Sequence, residues 1–344
     1  MNRFNKALSH KTDALLSGII KTTPNDFKVD EIASFTPSTT GEHVFLQIQK
    51  IGENTDWVAG LLAKIAKVRK RDVSYAGMKD RNAVTTQWFS VQMPGREAPD
   101  WQPQLPASIK VLQQTRHDRK LRRGASKGNH FSLIIRNLTG DIEQAKKLCE
   151  TIKTNGVPNY YGEQRFGHDL YNIKSAENWF HTGFKLKSRT KRSLFLSAAR
   201  SWIFNHILSQ RIQQRSWNQA QTGDVFMLNG SQSCFADDGD SNLEARTQQG
   251  DIHPTGALWG EGALLTTGDI AILEQNIANN FKHLANGLIK YGLKQERRSL
   301  RLIVNEFEYN FKGDKLFLNF SLPTGSFATV VLRELGVFKI RRIS

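Results

Sequence analysis

The sequence predicts a mixed α/β (α+β) fold in which a helical block interrupts a strand-rich domain. Alternating segments typical of strands precede residue 154, helical periodicity dominates residues 157–301, and alternating segments return after residue 301. Strands that stop, give way to helices and then resume are typical of an inserted domain. The chain of 344 residues is long enough for two such domains.

The first half of the chain contains signals for two helices and three strands. Apolar residues recur at helical spacing over residues 57–68 after Asn54 and Thr55, which are good capping residues. Residues 85–93, 109–114 and 130–138 read as strands, and the Pro-rich residues 94–106 read as an exposed connection. Residues 141–155 predict an amphipathic helix that Gly156 ends.

The second half is less uniform. Residues 193–212 and 269–290 predict helical structure, whereas the Gly/Ser/Asp-rich residues 216–265 do not reveal their organisation. Residues 302–322 predict a hairpin that turns at Lys312 to Lys315, and residues 323–335 predict a turn that leads into a helix.

The charge balance favours a polyanionic partner. An excess of 48 Lys and Arg over 32 Asp and Glu gives a net charge of +16, which fits nucleic acid better than a small acidic molecule. Two cysteines cannot build a disulfide framework or a cysteine-rich zinc site, which suits a reducing compartment. Because no apolar run is long enough for a signal segment or a membrane span, we expect a cytoplasmic protein.

Two basic runs are candidate phosphate-binding surfaces, although charge runs are more often simply solvated faces. The first comprises Arg116, Arg119, Lys120, Arg122, Arg123 and Lys127, and the second comprises Lys185, Lys187, Arg189, Lys191 and Arg192.

Several familiar catalytic patterns are missing from the sequence. It contains no G-x-G-x-x-G after a strand, no G-x-x-x-x-G-K-[ST], no H-E-x-x-H and no G-x-S-x-G. The nine histidines are scattered, without cysteines at metal-ligand spacing. We therefore expect no cofactor and no metal, and a nuclease or a methyltransferase is disfavoured.

A carboxylate follows Gly77 in the stretch YAGMKDRNAVTTQW. Asp80 could act beside a ribose, by attack on C1′ or by removal of a ribose proton, in a redox-neutral isomerisation of uridine. It could also belong to a solvated turn. If the backbone is extended there, Lys79 points away from Asp80. Asn129 and Phe131 project the same way and offer an amide beside an aromatic face, or else are a turn residue and a core residue.

Four motifs in order, GMKDRNAVTTQW, GNHFSL, NYYGEQRFG and LPTGSFAT, resemble the tRNA pseudouridine synthase D (TruD) family. The resemblance extends over nearly the whole chain and fails mainly within residues 216–265. It implies a pseudouridine-synthase-like catalytic domain with a mixed, largely antiparallel sheet, formed by residues 1–154 plus 302–344. An inserted α/β TRUD domain, residues 155–301, would interrupt it.

The resemblance also implies roles for individual residues. Asp80 matches the catalytic aspartate and Lys21 the basic position, which makes Lys21 the candidate partner of Asp80. Substrate contacts of the family match Phe27, Asn129, Phe131 and Phe327. Phe131 would then stack the uracil, Asn129 would hydrogen-bond the nucleotide, and the other two rings would shape the walls of the cleft.

The implied reaction is the isomerisation of uridine 13, in the D-stem region of tRNA, without metal or cofactor. We expect tRNA as the partner of a monomer that needs no second protein. Arg81 stands where the family usually has Lys, and Tyr161 where Phe is common. A rival hypothesis, a non-catalytic RNA-binding protein, explains the basic runs but leaves Asp80 unexplained.

Overall fold

The computed structural model describes residues 15–340, which fold as two compact units. One, called here the sheet unit, contains residues 15–153, Val304–Ala328 and residues 335–340. The other, the inserted unit, contains Thr154–Ile303 and Thr329–Glu334. The assignment of catalytic and TRUD roles to residues 1–154 plus 302–344 and to residues 155–301 stays a prediction.

The described residues form strands and helices in the following order along the chain. Up to residue 182 these are β1 Leu16–Ile20, β2 Phe27–Ala33, β3 His43–Ile51, α1 Thr55–Ile65, β4 Val73–Tyr75, β5 Val84–Gln92, β6 Ile109–His117, β7 Ser126–Gly140, α2 Ile142–Asn155, β8 Val157–Pro158 and α3 Tyr171–Thr182. They continue as α4 Arg189–Gln213, β9 Val225–Leu228, β10 Cys234–Ala236, α5 Leu243–Gln249, β11 Ile252–Leu258, α6 Gly268–Asn280, α7 Lys282–Lys290, β12 Glu296–Ser299, β13 Arg301–Leu302, β14 Asn305–Lys312, β15 Lys315–Pro323, α8 Ala328–Leu335 and β16 Gly336–Ile340.

A mixed, largely antiparallel sheet organises the sheet unit, which confirms the predicted fold class. Its main strand order is β14-β15-β7-β2-β5-β3-β6, with β1, β16 and β4 attached beside this path. The pairs β2–β5 and β1–β16 are parallel, and the other pairs of this sheet are antiparallel. The predicted hairpin is confirmed as β14 and β15, with Lys312 opposite Lys315.

The register of the central strands determines which side chains share a face. Val29 of β2 lies opposite both Phe131 of β7 and Thr85 of β5, and Glu31 lies opposite Asn129. Because partnered residues point to the same side of a sheet, these side chains lie on one face, called here the site face. Lys50, opposite Thr85 in β3, belongs to the same face.

Helix α1 packs against the β3 and β5 part of this face and begins where the sequence predicts. Its N-cap is Asn54, whose side chain accepts a hydrogen bond from the Asp56 N–H at 2.9 Å. Val58 and Leu62 are completely buried in one hydrophobic cluster with Phe89 of β5. Helix α2 also forms as predicted and is followed by Gly156 at φ 68°, where a Cβ atom would meet the Leu302 carbonyl at 2.3 Å.

The inserted unit combines helices with a small sheet. Helices α3, α4, α6 and α7 contribute Trp179, Trp202 and Leu288, among others, to one hydrophobic core. Residues 216–265, which the sequence left unresolved, contain one helix, α5, and three strands, β9, β10 and β11. The three strands join β12 in a sheet of order β10-β9-β11-β12. The helical signal over residues 269–290 divides into two helices at Phe281, where φ is −115° and ψ is 37°.

Among the described residues, no helix combines the length and the apolar character that crossing a membrane requires.

Candidate active site

An ion pair joins Lys21 to Asp80 across the sheet unit. Lys21 directly follows β1, and its Nζ contacts Oδ2 of Asp80. The lysine side chain is 11% exposed and the aspartate side chain 34%, so the carboxylate remains accessible from solvent. The backbone of Lys21 has φ 57°, a left-handed conformation that is uncommon outside glycine and directs the chain out of β1.

The second carboxylate oxygen of Asp80 is also engaged. Oδ1 accepts a hydrogen bond at 3.0 Å from the backbone N–H of Asn82, which is a short-range turn contact typical of aspartate. A cation on one oxygen and an N–H on the other hold the carboxylate in one orientation. The carboxylate of Asp80 is therefore oriented before any ligand binds.

Lys79 forms its ion pair with a carboxylate other than Asp80, as expected. Its Nζ contacts Oε2 of Glu31 at 2.8 Å on the site face, where both side chains are buried. Oε1 of Glu31 also accepts a hydrogen bond from the Trp88 backbone N–H at 3.2 Å. The pair therefore fastens the segment that carries Asp80 to β2 and β5.

Polar side chains fasten the same segment at two further points. The backbone N–H of Lys79 donates to Thr55 Oγ1 at 3.0 Å, and Gln87 Nε2 donates to the Gly77 carbonyl at 3.1 Å. A Cβ atom built on Gly77 would meet nothing within 4 Å, so the fold leaves open space beside this glycine.

Three phenylalanines form a continuous aromatic layer next to the ion pair. The Nζ of Lys21 lies 4.2 Å from the centroid of the Phe27 ring. Phe27 meets Phe131 edge to face at 6.4 Å, and Phe131 stacks on Phe320 at 5.4 Å. Phe131 is only 6% exposed. Its ring is therefore a supporting layer in this structure, with little surface left for the uracil stacking that the sequence suggested.

Asn129 lies at the β7–β15 end of the site face, and Phe327 lies in the chain just after β15. Oδ1 of Asn129 is buried and has no hydrogen-bond partner within the described part of the chain. Asn129 is paired with Leu322 near the end of β15, and Phe327 follows in the connection to α8. Phe327 is partly exposed, and it is available for contact with a ligand.

The first basic run differs from the single free surface that the sequence suggested. Arg116 lies within β6 and Lys127 lies within β7. Neither side chain is buried. Arg116 donates to the Gly41 carbonyl and Lys120 to the Arg71 carbonyl, at 3.2 and 2.8 Å. Arg123 lies 4.1 Å above the Tyr75 ring. All members of the run except Arg116 are exposed; Lys120 and Arg123 make the contacts just given, which leaves Arg119, Arg122 and Lys127.

The sequence argument missed two charged residues of this site, Glu31 and Lys50. Both lie in the inward register of strands whose neighbouring inward residues are apolar, which is the signal that could have revealed them. Lys50 is completely buried, and burial lowers the pKa of its ammonium to about 8. Among the described residues, no three His, Cys, Asp or Glu side chains cluster as a metal site would.

A solved structure shares this fold. The chain matches a crystal structure from Methanosarcina mazei, assigned as tRNA pseudouridine synthase D (TruD), with a TM-score of 0.74 and 22% identity, over 96% of this chain and 95% of that one. At this level of identity the likeness concerns the fold alone. The chain therefore has a TruD-type fold.

Sequence comparison identifies the family. The family model for tRNA pseudouridine synthase D (TruD) matches residues 8–176 and 170–335. A tRNA pseudouridine synthase D from Hydrogenovibrio crunogenus is 44% identical over 94% of both chains. One from Methylococcus capsulatus is 46% identical over 93% of this chain and 91% of the relative. The chain belongs to the tRNA pseudouridine synthase D family.

Proposed function

We propose that this protein isomerises uridine in tRNA to pseudouridine, at uridine 13 as the family resemblance implies, with Asp80 as the catalytic residue. The observation that carries the proposal is the state of the Asp80 carboxylate. It is one-third exposed, paired with Lys21 and oriented by the Asn82 N–H. The carboxylate is thus held in one orientation and is also accessible to a ligand, next to an aromatic layer.

The reaction balances without an external reagent. The N1–C1′ bond of a flipped uridine breaks, the ring turns, a C5–C1′ bond forms, the C5 hydrogen leaves as a proton and N1 takes up a proton. Asp80 acts on the ribose, either by attack of a carboxylate oxygen on C1′ or by removal of the C2′ proton. Lys21 would hold the carboxylate in its attacking orientation throughout.

The residues around Asp80 would bind the detached base. Asn129 Oδ1, a buried acceptor without a partner among the described residues, is suited to the N3–H of uracil. The Phe27 and Phe131 rings would support the base from below, and the partly exposed Phe327 would close over it. Exclusion of water by these rings matters, because a lost base would turn isomerisation into hydrolysis.

The basic surface supports tRNA as the substrate. We assign phosphate contacts first to the exposed Arg119, Arg122 and Lys127, and secondarily to Arg123. The catalytic domain would comprise residues 1–154 plus 302–344, and the TRUD domain residues 155–301. The protein would act in the cytoplasm as a monomer on tRNA alone, with no cofactor and no metal.

Release of tritium from tRNA labelled at C5 of uridine tests this function, because C5 must lose its hydrogen when it joins C1′. The wild-type protein and Asp80→Asn would be compared on a transcript pool without added metal or cofactor. Release by the wild type alone supports the proposal. Tight tRNA binding without release would favour the RNA-binding alternative.

A further inference from the structure

A buried lysine lies directly behind the catalytic residue. Lys50 ends the inward series Leu46, Ile48 and Lys50 of β3, so its ammonium occupies an apolar position on the site face. Its residue exposure is 0%. Burial of an ammonium is costly, and a lysine at such a position therefore needs a reason.

The hydrogen bonds of Lys50 supply that reason. Its Nζ donates to the Glu53 carbonyl at 2.7 Å and to the carbonyl of Asp80 at 3.2 Å. No ion pair of Lys50 occurs among the described residues, and the Glu53 carboxylate instead accepts from Ser108 Oγ at 2.9 Å. The hydrogen bonds of Lys50 are therefore made to backbone carbonyls, one of which belongs to the catalytic residue.

The segment around Lys50 holds the Asp80 loop at adjacent points. Gly52 N–H donates to the Ala83 carbonyl at 3.3 Å, and Arg81 Nε donates to the Gly52 carbonyl at 3.1 Å. These contacts fix the far side of the loop, whereas Lys50 contacts the peptide group of Asp80 itself. A shift of that peptide would move the carboxylate relative to Lys21.

We propose that Lys50 is a positioning residue for the isomerisation, whose ammonium anchors the main chain of Asp80 and so fixes where the carboxylate meets the ribose. The proposal rests on the proposed function, since it concerns the rate of that reaction. A role in stability alone is a poorer explanation, because a buried ammonium without a carboxylate partner opposes folding.

The charged groups that face Lys50 agree with this role. Burial is the largest influence on its pKa and lowers it to about 8, Asp80 and Glu53 act in the opposite direction, and Lys79 lowers it further. Above this pH the ammonium loses a proton and its charge, and its hydrogen bonds to the two carbonyls weaken.

The test compares Lys50→Met with Lys64→Met, which makes the same change on the exposed side of α1. The measurements are the single-turnover rate of tritium release from [5-³H]uridine tRNA, the Kd for that tRNA, and the urea midpoint. We expect Lys50→Met to lower the rate about 10- to 100-fold, the scale of a misplaced catalytic group. Its Kd should equal that of the wild type and its urea midpoint should stay at or above the wild-type value, and Lys64→Met should match the wild type throughout.

The pH profile of the wild-type rate supplies a second readout, and this readout does not depend on how the variant folds. The wild-type rate should fall above a pH of about 8, where Lys50 loses its proton. This limb should be absent from Lys50→Met.

Three results would overturn the inference: an unchanged rate in Lys50→Met, a rate that falls only in step with the urea midpoint, or a wild-type profile that stays flat through pH 9. A wild-type protein that releases no tritium would instead contradict the proposed function, so the two failures are distinguishable.

Discussion

Two ion pairs, one in each unit, show how the same chemistry serves different ends. Arg211 and Asp224 of the inserted unit are almost completely buried, and their two hydrogen bonds measure 2.6 and 2.9 Å. Arg211 also donates to Ser216, and Asp224 also accepts from the Gln221 N–H. Lys21 and Asp80 of the sheet unit make a single contact, which leaves the aspartate one-third exposed.

The two carboxylates differ in how far their oxygens remain available to a ligand. The buried Asp224 carboxylate accepts three hydrogen bonds, two from Arg211 and one from the Gln221 N–H, and it joins α4 to the loop before β9. Asp80 is held in place at only one point on each oxygen, and its side chain is one-third exposed. A saturated pair stabilises the fold, whereas an incompletely saturated pair at a surface can act on a ligand.

The largest expected effect concerns Asp80. Asp80→Asn keeps the shape of the side chain but removes the nucleophile or base, so we expect turnover to fall at least about 10⁴-fold. The Kd for tRNA and the urea midpoint should remain close to the wild-type values. The control is Asp30→Asn, because Asp30 is exposed on the opposite face of β2. Retained turnover in Asp80→Asn would mean that the Lys21–Asp80 pair, like the Arg211–Asp224 pair, does not act on a ligand.

Asp224→Ala should have the converse effect, on stability. The change leaves the Arg211 guanidinium buried without its carboxylate, which costs about 3–5 kcal/mol of the free energy of unfolding. Urea denaturation would measure this loss. The double variant Arg211→Met/Asp224→Ala should recover much of it, because no unpaired charge remains. A stable single variant would show that this pair does not hold the fold.

Two histidines of the inserted unit, the buried His253 and the partly buried His206, sharpen the comparison through pH. Burial lowers the pKa of His206 and that of His253 to about 4, with Arg301 lowering the latter further. The unfolded chain therefore binds more protons below pH 6.5, and stability falls as the pH decreases from there toward 4. Each histidine should cost about 2 kcal/mol between pH 7 and pH 5.

His206→Leu should abolish its share of this pH dependence, measured as the difference in unfolding free energy between the two pH values. His168→Leu is the matched control, since the His168 side chain is exposed. An equal pH dependence in wild type and His206→Leu would contradict the assignment of a neutral, partly buried His206.

The smallest expected effect concerns RNA affinity. Replacing both Arg122 and Arg123 with Glu should weaken tRNA binding and flatten the slope of log affinity against log salt by about 1 to 2. Arg122 should contribute more of this change than Arg123, which already lies over Tyr75. Binding measured across a salt series checks the prediction, and an unchanged slope would make this run a solvated face.

Local patterns in the sequence predicted much of the fold, and they failed where long-range pairing decides. Helix α1, with its Asn54 cap, and the β14–β15 hairpin both follow from periodicity and turn chemistry. The break at Phe281 interrupts an apolar pattern that is continuous in the sequence. Residues 216–265 resisted prediction because strands as short as β9 and β10 depend on partners distant in the chain.

The site residues also divide into those that the sequence predicted and those that depend on long-range contacts. Lys79 pairs with Glu31 and not with Asp80, as expected, and the pairing of Lys21 with Asp80, suggested by the resemblance, is present in the structure. Periodicity could not show that Phe320 covers Phe131, because this contact depends on the register of β15 against β7. A charged residue in an inward register, as at Glu31, is the signal that sequence reasoning should weigh more heavily.

The most direct test of the central claim uses a tRNA in which only uridine 13 carries tritium at C5. Wild-type protein in excess should release the label stoichiometrically without added metal or cofactor, while Asp80→Asn should bind the same tRNA and release none. Release from Asp80→Asn at the wild-type rate would show that the reaction does not depend on this carboxylate. No release by the wild type, from a tRNA that it binds, would contradict the proposed reaction at this position.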